Sequence, residues 1–325
     1  MMKAGIIGGA GYTAGELIRL LINHPAVEID FVFSTSNAGN KIFDVHQDLL
    51  GQTEKSFTDI VNPEVDVVFL CLGHGNSSTF LMNNTFSSAT KIIDLSNDFR
   101  LKNDAVYNGR EFVYGLPELQ KEKIESAKNI ANPGCFATAI QLGILPLAKN
   151  ELIKSSVHIN ATTGATGAGV SPSAMTHFSW RDNNFSVYKA FTHQHIDEIV
   201  ESIETLQINF NEELLFIPNR GNFSRGIFAS IYTDFDGSLE DANEIFEKYY
   251  KDAAFTQLSK KAIHLKQVVN TNYCFIHLQK HNNKLLITSV IDNLLKGASG
   301  QAVQNMNLIF GLEETLGLQL KANFF

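Results

Sequence analysis

Apolar residues in the first third of the chain come in short continuous runs, separated by stretches with helical spacing. Ala4–Gly8 predicts a strand, and Leu17, Ile18, Leu20 and Leu21 recur at the period of a following helix. Glu28–Ser34 predicts a second strand, Val65–Leu72 (VDVVFLCL) a third and Lys91–Leu95 a fourth. A strand with one wet face alternates apolar and polar residues. A continuous apolar run is buried on both faces, as in a parallel sheet covered by helices. The pattern predicts a doubly wound, Rossmann-type nucleotide-binding domain.

After Pro133 the texture changes. Val157–Gly169 (VHINATTGATGAG) reads as a strand running into a Gly/Thr loop. Leu214–Pro218, Gly226–Thr233, Asn272–Gln279 and Lys284–Ile291 read as strands of a mostly antiparallel sheet. Leu239–Tyr250 and Ala298–Leu312 read as helices, the second closing the chain. The expected class is α/β. A dinucleotide-binding domain would span residues 1–134 and 298–325, and an α+β catalytic and oligomerisation domain residues 135–297.

Composition narrows the function. A chain of 325 residues suits about two domains. A net charge of -8, with no dense Lys/Arg run, argues against a nucleic-acid partner. The three cysteines, Cys71, Cys135 and Cys274, form no CxxC pair, so neither a disulfide framework nor a structural zinc site is expected. Such usage suits a reducing cytosol. No signal peptide is apparent and no apolar run approaches the ~20 residues that span a bilayer, so a cytoplasmic protein without membrane attachment is expected.

The first motif with chemistry is Gly8-Gly9-Ala10-Gly11-Tyr12-Thr13-Ala14-Gly15, between the first strand and helix. Glycines let a backbone approach a pyrophosphate, and free N–H groups at a helix start bind its charge. Gly8, Gly11, Tyr12, Thr13 and Ala14 are therefore cofactor candidates, although the third glycine is displaced from G-x-G-x-x-G. An NAD enzyme ends its second strand on Asp or Glu for the ribose hydroxyls. This strand ends on Ser34-Thr35-Ser36 with Lys41 nearby, a better fit to the 2′-phosphate of NADP. Asp30 is correctly spaced but lies inside the strand.

The second motif is Asn132-Pro133-Gly134-Cys135-Phe136-Ala137-Thr138. The turn places Cys135 near a helix N-terminus, whose field favours thiolate. Cys71 and Cys274 lie in apolar strands and read as buried filler. In His193-Gln194-His195-Ile196-Asp197-Glu198, a helix start would put His195 and Glu198 on one face, with the carboxylate orienting the imidazole as an acid/base. Two histidines at this spacing can also bind metal, but no third ligand is apparent, so no metal site is expected. Arg100, after a strand, and Arg220 and Arg225, in PNRGNFSRG, are candidate clamps for phosphate or carboxylate.

Together these segments resemble the N-acyl-glutamyl-phosphate reductases of arginine biosynthesis. The matching blocks run nearly end to end: GAGYTAGEL (9–17), LGHG (72–75), DLSNDFRL (94–101), YGLPEL (114–119) and NPGCFAT (132–138). Then come GATGAG (164–169), HQHIDEI (193–199), PNRGNFSRG (218–226) and NLLKGASGQAVQNMN (293–307). The family is similar to aspartate-semialdehyde and glyceraldehyde-3-phosphate dehydrogenases and shares their two-domain plan. The resemblance implies an NADP-dependent reductase of a small acyl phosphate, working through a thioester on Cys135.

By the same resemblance His195 is the acid/base, with His193 beside it and Glu198 in the pocket. Arg100 holds phosphate, by analogy with the related semialdehyde dehydrogenases. Thr166 and Gly167 line the acyl site. Gly73, His74, Gly300, Gln301 and Asn305 lie against the cofactor, as does Gly297. The family often has Gly at position 14, Pro at 73 and Ser at 166, where this chain has Ala14, Gly73 and Thr166. His177–Tyr188 is the least family-like stretch, and its Trp180 and Arg181 point to a bulkier or charged acyl group. N-succinyl or carrier-linked substrates, an aspartyl phosphate, and a non-catalytic dinucleotide sensor are the alternatives. A homo-oligomer, dimer or tetramer, is expected.

Overall fold

Strand β1 (Met2–Ile7) turns through glycines into helix α1 (Tyr12–Ile22), and β2 (Val27–Phe33) returns parallel to β1. The computed structural model describes residues 1–325 and divides them into two units. The first is Met1–Gly134 with Ala298–Gln319, the second Cys135–Gly297 with Leu320–Phe325.

In the first unit, α2 (Ile42–Val45), β3 (Val67–Leu70), α3 (Asn76–Asn83) and β4 (Lys91–Asp94) continue the winding. A hairpin of β5 (Val106–Tyr107) and β6 (Arg110–Tyr114), helix α4 (Pro117–Glu125) and β7 (Asn129–Ala131) complete it. The sheet order is β2-β1-β3-β4-β7-β6-β5, parallel except for the edge hairpin. All four residues of β3 are buried, which explains its unbroken apolar run. The hairpin is fixed from behind by Phe112, whose ring stacks on Phe99 at 4.2 Å between centroids. Burial of each such ring contributes about 1.5–3 kcal/mol. The order reverses between β2 and β3 around β1. Ligands of open α/β sheets bind beyond the carboxyl ends of the strands at such a switch point.

In the second unit, α5 (Cys135–Lys149) is buried from Phe136 to Ala148. It packs on a sheet of β8 (Val157–Thr163), β9 (Ser186–Val187), β10 (Leu214–Arg220), β11 (Ile227–Asp234), β12 (Thr256–Leu258), β13 (Cys274–His281) and β14 (Lys284–Ile291). Helices α6 (Phe178–Arg181), α7 (His195–Leu206) and α8 (Leu239–Tyr249) complete the unit. The sheet order is β12-β13-β14-β11-β8-β10-β9. Four of its pairings are antiparallel, and β8–β10 and β12–β13 are parallel.

Two expectations change. The closing helix starts as a π-helical turn over Leu295–Ser299, and α9 proper is Gly300–Ile309. Gly311, at φ +65°, ends it, so Leu312 lies outside. The C-terminal residues expected with the nucleotide domain also part company at Leu320. Asn323 N–H donates to Val269 O at 3.0 Å and Asn270 Nδ2 to Lys321 O at 3.1 Å. The Phe324 ring lies 5.6 Å from that of His264. These contacts hold the tail to the second unit.

Candidate active site

The nucleotide loop sits at the switch point of the first unit. Gly8 has φ +78°, and a Cβ there would stand 2.6 Å from Cys71 O at the end of β3. Only glycine fits, because both the left-handed backbone and the close approach exclude a side chain. The loop is held from behind by His46, whose Nε2 lies 2.7 Å from Gly9 O and whose ring fills the space beside Gly15. Beyond the loop, the first turn of α1 has no acidic residue and Gly11 supplies no side-chain cap. A Cβ built on Gly11 would meet nothing nearer than 3.9 Å. The free N–H groups at Tyr12–Ala14 and the open space beside Gly11 fit a dinucleotide pyrophosphate.

The end of β2 suits NADP. Ser34 lies just past the strand, where its N–H donates to Thr58 O at 2.9 Å and its Oγ accepts from Asn37 Nδ2 at 3.1 Å. Thr35 and Ser36 form the short turn that follows. Asp30 is committed elsewhere, pairing with Lys3 at 3.6 Å and accepting from Asn62 Nδ2 at 2.9 Å. Lys41, expected near a 2′-phosphate, instead donates to Glu54 O and pairs with its carboxylate at 3.5 Å. A short lysine–glutamate contact across a surface hairpin is local, and the sequence carried no sign of it.

The loop after β3 holds Gly73 and His74, whose Nδ1 accepts from Asn97 N–H at 3.2 Å. Asp98 fills the N-terminus of α3, accepting from Gly75 N–H at 2.6 Å and from Ser78 N–H at 2.9 Å. Its carboxyl is lowered below its usual range: burial pushes it up, but the Ser78 and Gly75 bonds outweigh that. A carboxylate therefore already occupies this helix end. Gly300, Gln301 and Asn305 are buried in α9. Asn305 Nδ2 donates to Gly115 O at 2.9 Å and to Asn132 Oδ1 at 3.0 Å, and Ser299 Oγ donates to Thr13 O at 2.7 Å. These bonds tie the closing helix to the nucleotide loop and to the NPG turn.

Arg100 is buried in the first unit, its Nε donating to Asn132 O at 2.9 Å and Nη2 to Leu95 O at 3.1 Å. Beneath it, Asp94 accepts from Ser77 Oγ at 2.5 Å and Ser96 Oγ at 2.7 Å. Burial pushes the Asp94 carboxyl up to about 6 against the pull of these serines and of Arg100. Burial and the Asp94 charge together push the Cys71 thiol up, which makes it an inert cysteine. Cys274 is buried beside Ser289 Oγ at 3.4 Å.

Cys135 differs from both. It is the first residue of α5, half-buried, with the helix field behind it. Its neighbour Phe136 lies edge-on to His193 at 5.5 Å and to His195 at 6.3 Å, and the two imidazoles are 4.6 Å apart. Helix α7 begins at His195, so His195 and Glu198 do share a face; both are buried, with Nε2 3.8 Å from Oε1. His193 Nδ1 accepts from His195 N–H at 3.2 Å, which leaves its ring proton on Nε2. Tyr188 closes the cluster 5.7 Å from His193, with Arg220 stacked on it at 3.7 Å. Burial raises the Tyr188 phenol, and the charge of Cys135 adds to that.

The remaining candidates have structural partners. Thr166 Oγ1 donates to Ser224 O at 2.8 Å and accepts from Asn293 Nδ2 at 3.1 Å, clipping the Gly164–Gly169 loop, Gly167 included, to the segment before β11. Arg225 pairs with Asp292 at 3.0 Å, and Asp292 also accepts from the N–H groups of Leu294 and Leu295 at 2.8 and 3.2 Å. Gly297, expected against the cofactor, packs on Cys135 itself: a Cβ there would lie 2.8 Å from Cys135 Cβ. His46, Asp98 and Asp292 were missed, because each has a partner far from it in sequence: Gly9, Gly75 and Arg225 respectively.

Comparison with known proteins identifies the family. The family model described as semialdehyde dehydrogenase, NAD binding domain, matches residues 3–127, and that of its dimerisation domain matches residues 135–293. The N-acetyl-gamma-glutamyl-phosphate reductase of Christiangramia forsetii is 64% identical over 325 residues, covering 100% of both chains. That of Flavobacterium johnsoniae is 62% identical, also over 100% of both. Among solved structures, aspartate semialdehyde dehydrogenase II from Vibrio cholerae, complexed with ASA, superposes with a TM-score of 0.75 at 14% identity, covering 96% of this chain and 98% of that one. Aspartate semialdehyde dehydrogenase with NADP from Candida albicans gives 0.69 at 15% identity, covering 96% and 99%. At such identities the structures speak for the fold alone. The chain belongs to the semialdehyde dehydrogenase family, among its N-acetyl-gamma-glutamyl-phosphate reductases.

Proposed function

We propose that the protein reduces N-acetyl-gamma-glutamyl phosphate with NADPH, giving N-acetyl-glutamate 5-semialdehyde and phosphate in arginine biosynthesis. The observation that carries this reading is Cys135 at the head of α5, beside a buried His193–His195–Glu198 cluster. The relatives that match over the whole chain are named for this reaction.

The Cys135 thiolate attacks the γ-carbonyl carbon, a C–S bond forms, and the C–O bond to phosphate breaks with its electron pair leaving on phosphate. Arg100 is assigned to the leaving phosphate, and Thr166 and Gly167 to the acyl chain. The product is a thioester on Cys135, a far better hydride acceptor than a carboxylate. Gly8, Gly11, Tyr12–Ala14, Ser34–Ser36, Gly73, His74, Gly300, Gln301 and Asn305 would hold NADPH, which would supply the hydride for this carbonyl. His195, held by Glu198, stabilises the resulting oxyanion as imidazolium. Collapse breaks the C–S bond, frees the aldehyde and returns the thiolate. His193 orients the site, because its Nδ1 is already bonded to the backbone.

The same reading assigns a cytoplasmic homo-oligomer, dimer or tetramer. The dimerisation-domain match supports the assembly, and no helix is long and apolar enough to cross a membrane. The test runs the reaction backwards with N-acetyl-glutamate semialdehyde, NADP and phosphate. NADPH formation should require phosphate and vanish in Cys135→Ala. Binding of NADP with no turnover of the semialdehyde would instead mark a dinucleotide sensor.

A further inference from the structure

The Cys135 cluster carries two cations that the mechanism above does not use. Arg220, the last residue of β10, stacks its guanidinium on the Tyr188 ring at 3.7 Å. Arg181, the last residue of α6, turns toward the same group, anchored by one bond from Nη2 to Gly221 O at 2.6 Å. Each arginine feels the other or Tyr188 electrostatically, and Tyr188 in turn feels Cys135. No carboxylate pairs with either arginine. The other partly buried arginines of the chain have polar partners: Arg225 pairs with Asp292, Arg19 with Glu16 at 2.7 Å, and Arg110 donates to four carbonyl oxygens. Two like charges held side by side repel, and the arrangement is stabilised once an anion sits between them. Stacking on Tyr188 fixes the plane of Arg220, and the Gly221 bond fixes one edge of Arg181, so donors on both forks remain for an incoming group.

We propose that Arg181 and Arg220 form a receptor for a substrate carboxylate remote from the reacting carbonyl, and so set which acyl phosphates Cys135 accepts. The inference rests on the reading of Cys135 as the nucleophile. Two carboxylates have this chemistry: the α-carboxylate of the glutamyl unit, and one at the far end of an N-acyl group.

Three aldehydes separate them in the reverse reaction: N-acetyl-glutamate semialdehyde, 4-acetamidobutanal, which lacks the α-carboxylate, and N-succinyl-glutamate semialdehyde. In Arg181→Gln and Arg220→Gln, the kcat/KM ratio of the first to the second should fall about 10- to 100-fold if the α-carboxylate is held, the loss expected for a charge-assisted hydrogen bond. If the acyl end is held, the ratio of the third to the first falls instead. Ratios are immune to a uniform loss of folded enzyme, and the Arg220→Lys variant keeps the charge without the fork. Protection of Cys135 from iodoacetamide by each compound gives a second readout that needs no turnover. Wild-type protection without turnover would sink the proposed reaction while leaving the receptor standing. Both ratios and all three protections unchanged in the variants would overturn the receptor.

Discussion

Replacing Gly297 by alanine tests how tightly the nucleophile is positioned. The added Cβ would lie 2.8 Å from Cys135 Cβ, 3.2 Å from its Cα and 3.3 Å from Asp292 O. Carbon atoms rest about 3.5–4.0 Å apart, so one side must yield by roughly 0.7 Å or more. Gly297 cannot retreat freely, because its N–H is bonded to Asp292 O at 2.9 Å and the Asp292 carboxylate is fixed by Arg225. Cys135, opening its helix, is therefore the side expected to move. Overpacking costs about 1–3 kcal/mol of stability. A nucleophile displaced by ~1 Å loses on the order of 100-fold in rate. Gly297→Ala should thus lower kcat about 100-fold in the phosphate-dependent assay while thermal unfolding stays cooperative and only a few degrees lower. Wild-type kcat in a folded Gly297→Ala enzyme would refute the contact as a constraint on the thiol.

Further outcomes follow from the same contacts. Asp94 has its carboxyl raised from 3.8 to about 6, chiefly by burial, so the folded state holds its proton more tightly than the unfolded chain. Its contribution to stability is greatest below pH ~4 and is lost as pH rises to ~6, a change of about 3 kcal/mol. Asp94→Asn should remove that component from a denaturant-midpoint series between pH 4 and 7, and an identical pH profile in the two proteins would contradict it. Glu198→Gln removes the carboxylate that lies 3.8 Å from the buried His195 imidazole, so kcat in the reductive direction should fall while NADP affinity holds; an unchanged kcat would separate the carboxylate from the acid/base step. Gly8→Ala meets both φ +78° and the Cys71 carbonyl at 2.6 Å. It should weaken NADP binding at least tenfold by calorimetric titration, and unchanged affinity would argue against the loop as the pyrophosphate site.

Much of the first unit was readable because β3 is apolar and buried along its whole length, β1, β2 and β4 each carry a run of apolar residues, and α1 repeats at helical period. The hairpin β5–β6 and strand β7 escaped notice, since two to five residues carry no period. Cys135 stood out among the cysteines because a Pro-Gly turn precedes it, whereas Cys71 and Cys274 are embedded in apolar strands. His195 and Glu198 were legible from their spacing of three once a helix start was assumed. The split between Arg220 and Arg225 was not. Both occupy the same nonapeptide, and only tertiary contact makes Arg225 the partner of buried Asp292 while Arg220 stacks on Tyr188. Gly297 likewise looked like part of a cofactor loop, because a sequence does not reveal which side of a glycine is crowded.

The central claim is a covalent acyl group on Cys135, and trapping it is the most direct measurement. Enzyme incubated with N-acetyl-glutamate semialdehyde and NADP, with phosphate withheld, should accumulate one acyl group per active chain. Acid quenching, proteolysis and mass spectrometry should place it on the Cys135 peptide, and hydroxylamine or added phosphate should remove it. An adduct on another residue, or steady phosphate-dependent turnover with Cys135 replaced by alanine, would contradict the thioester mechanism.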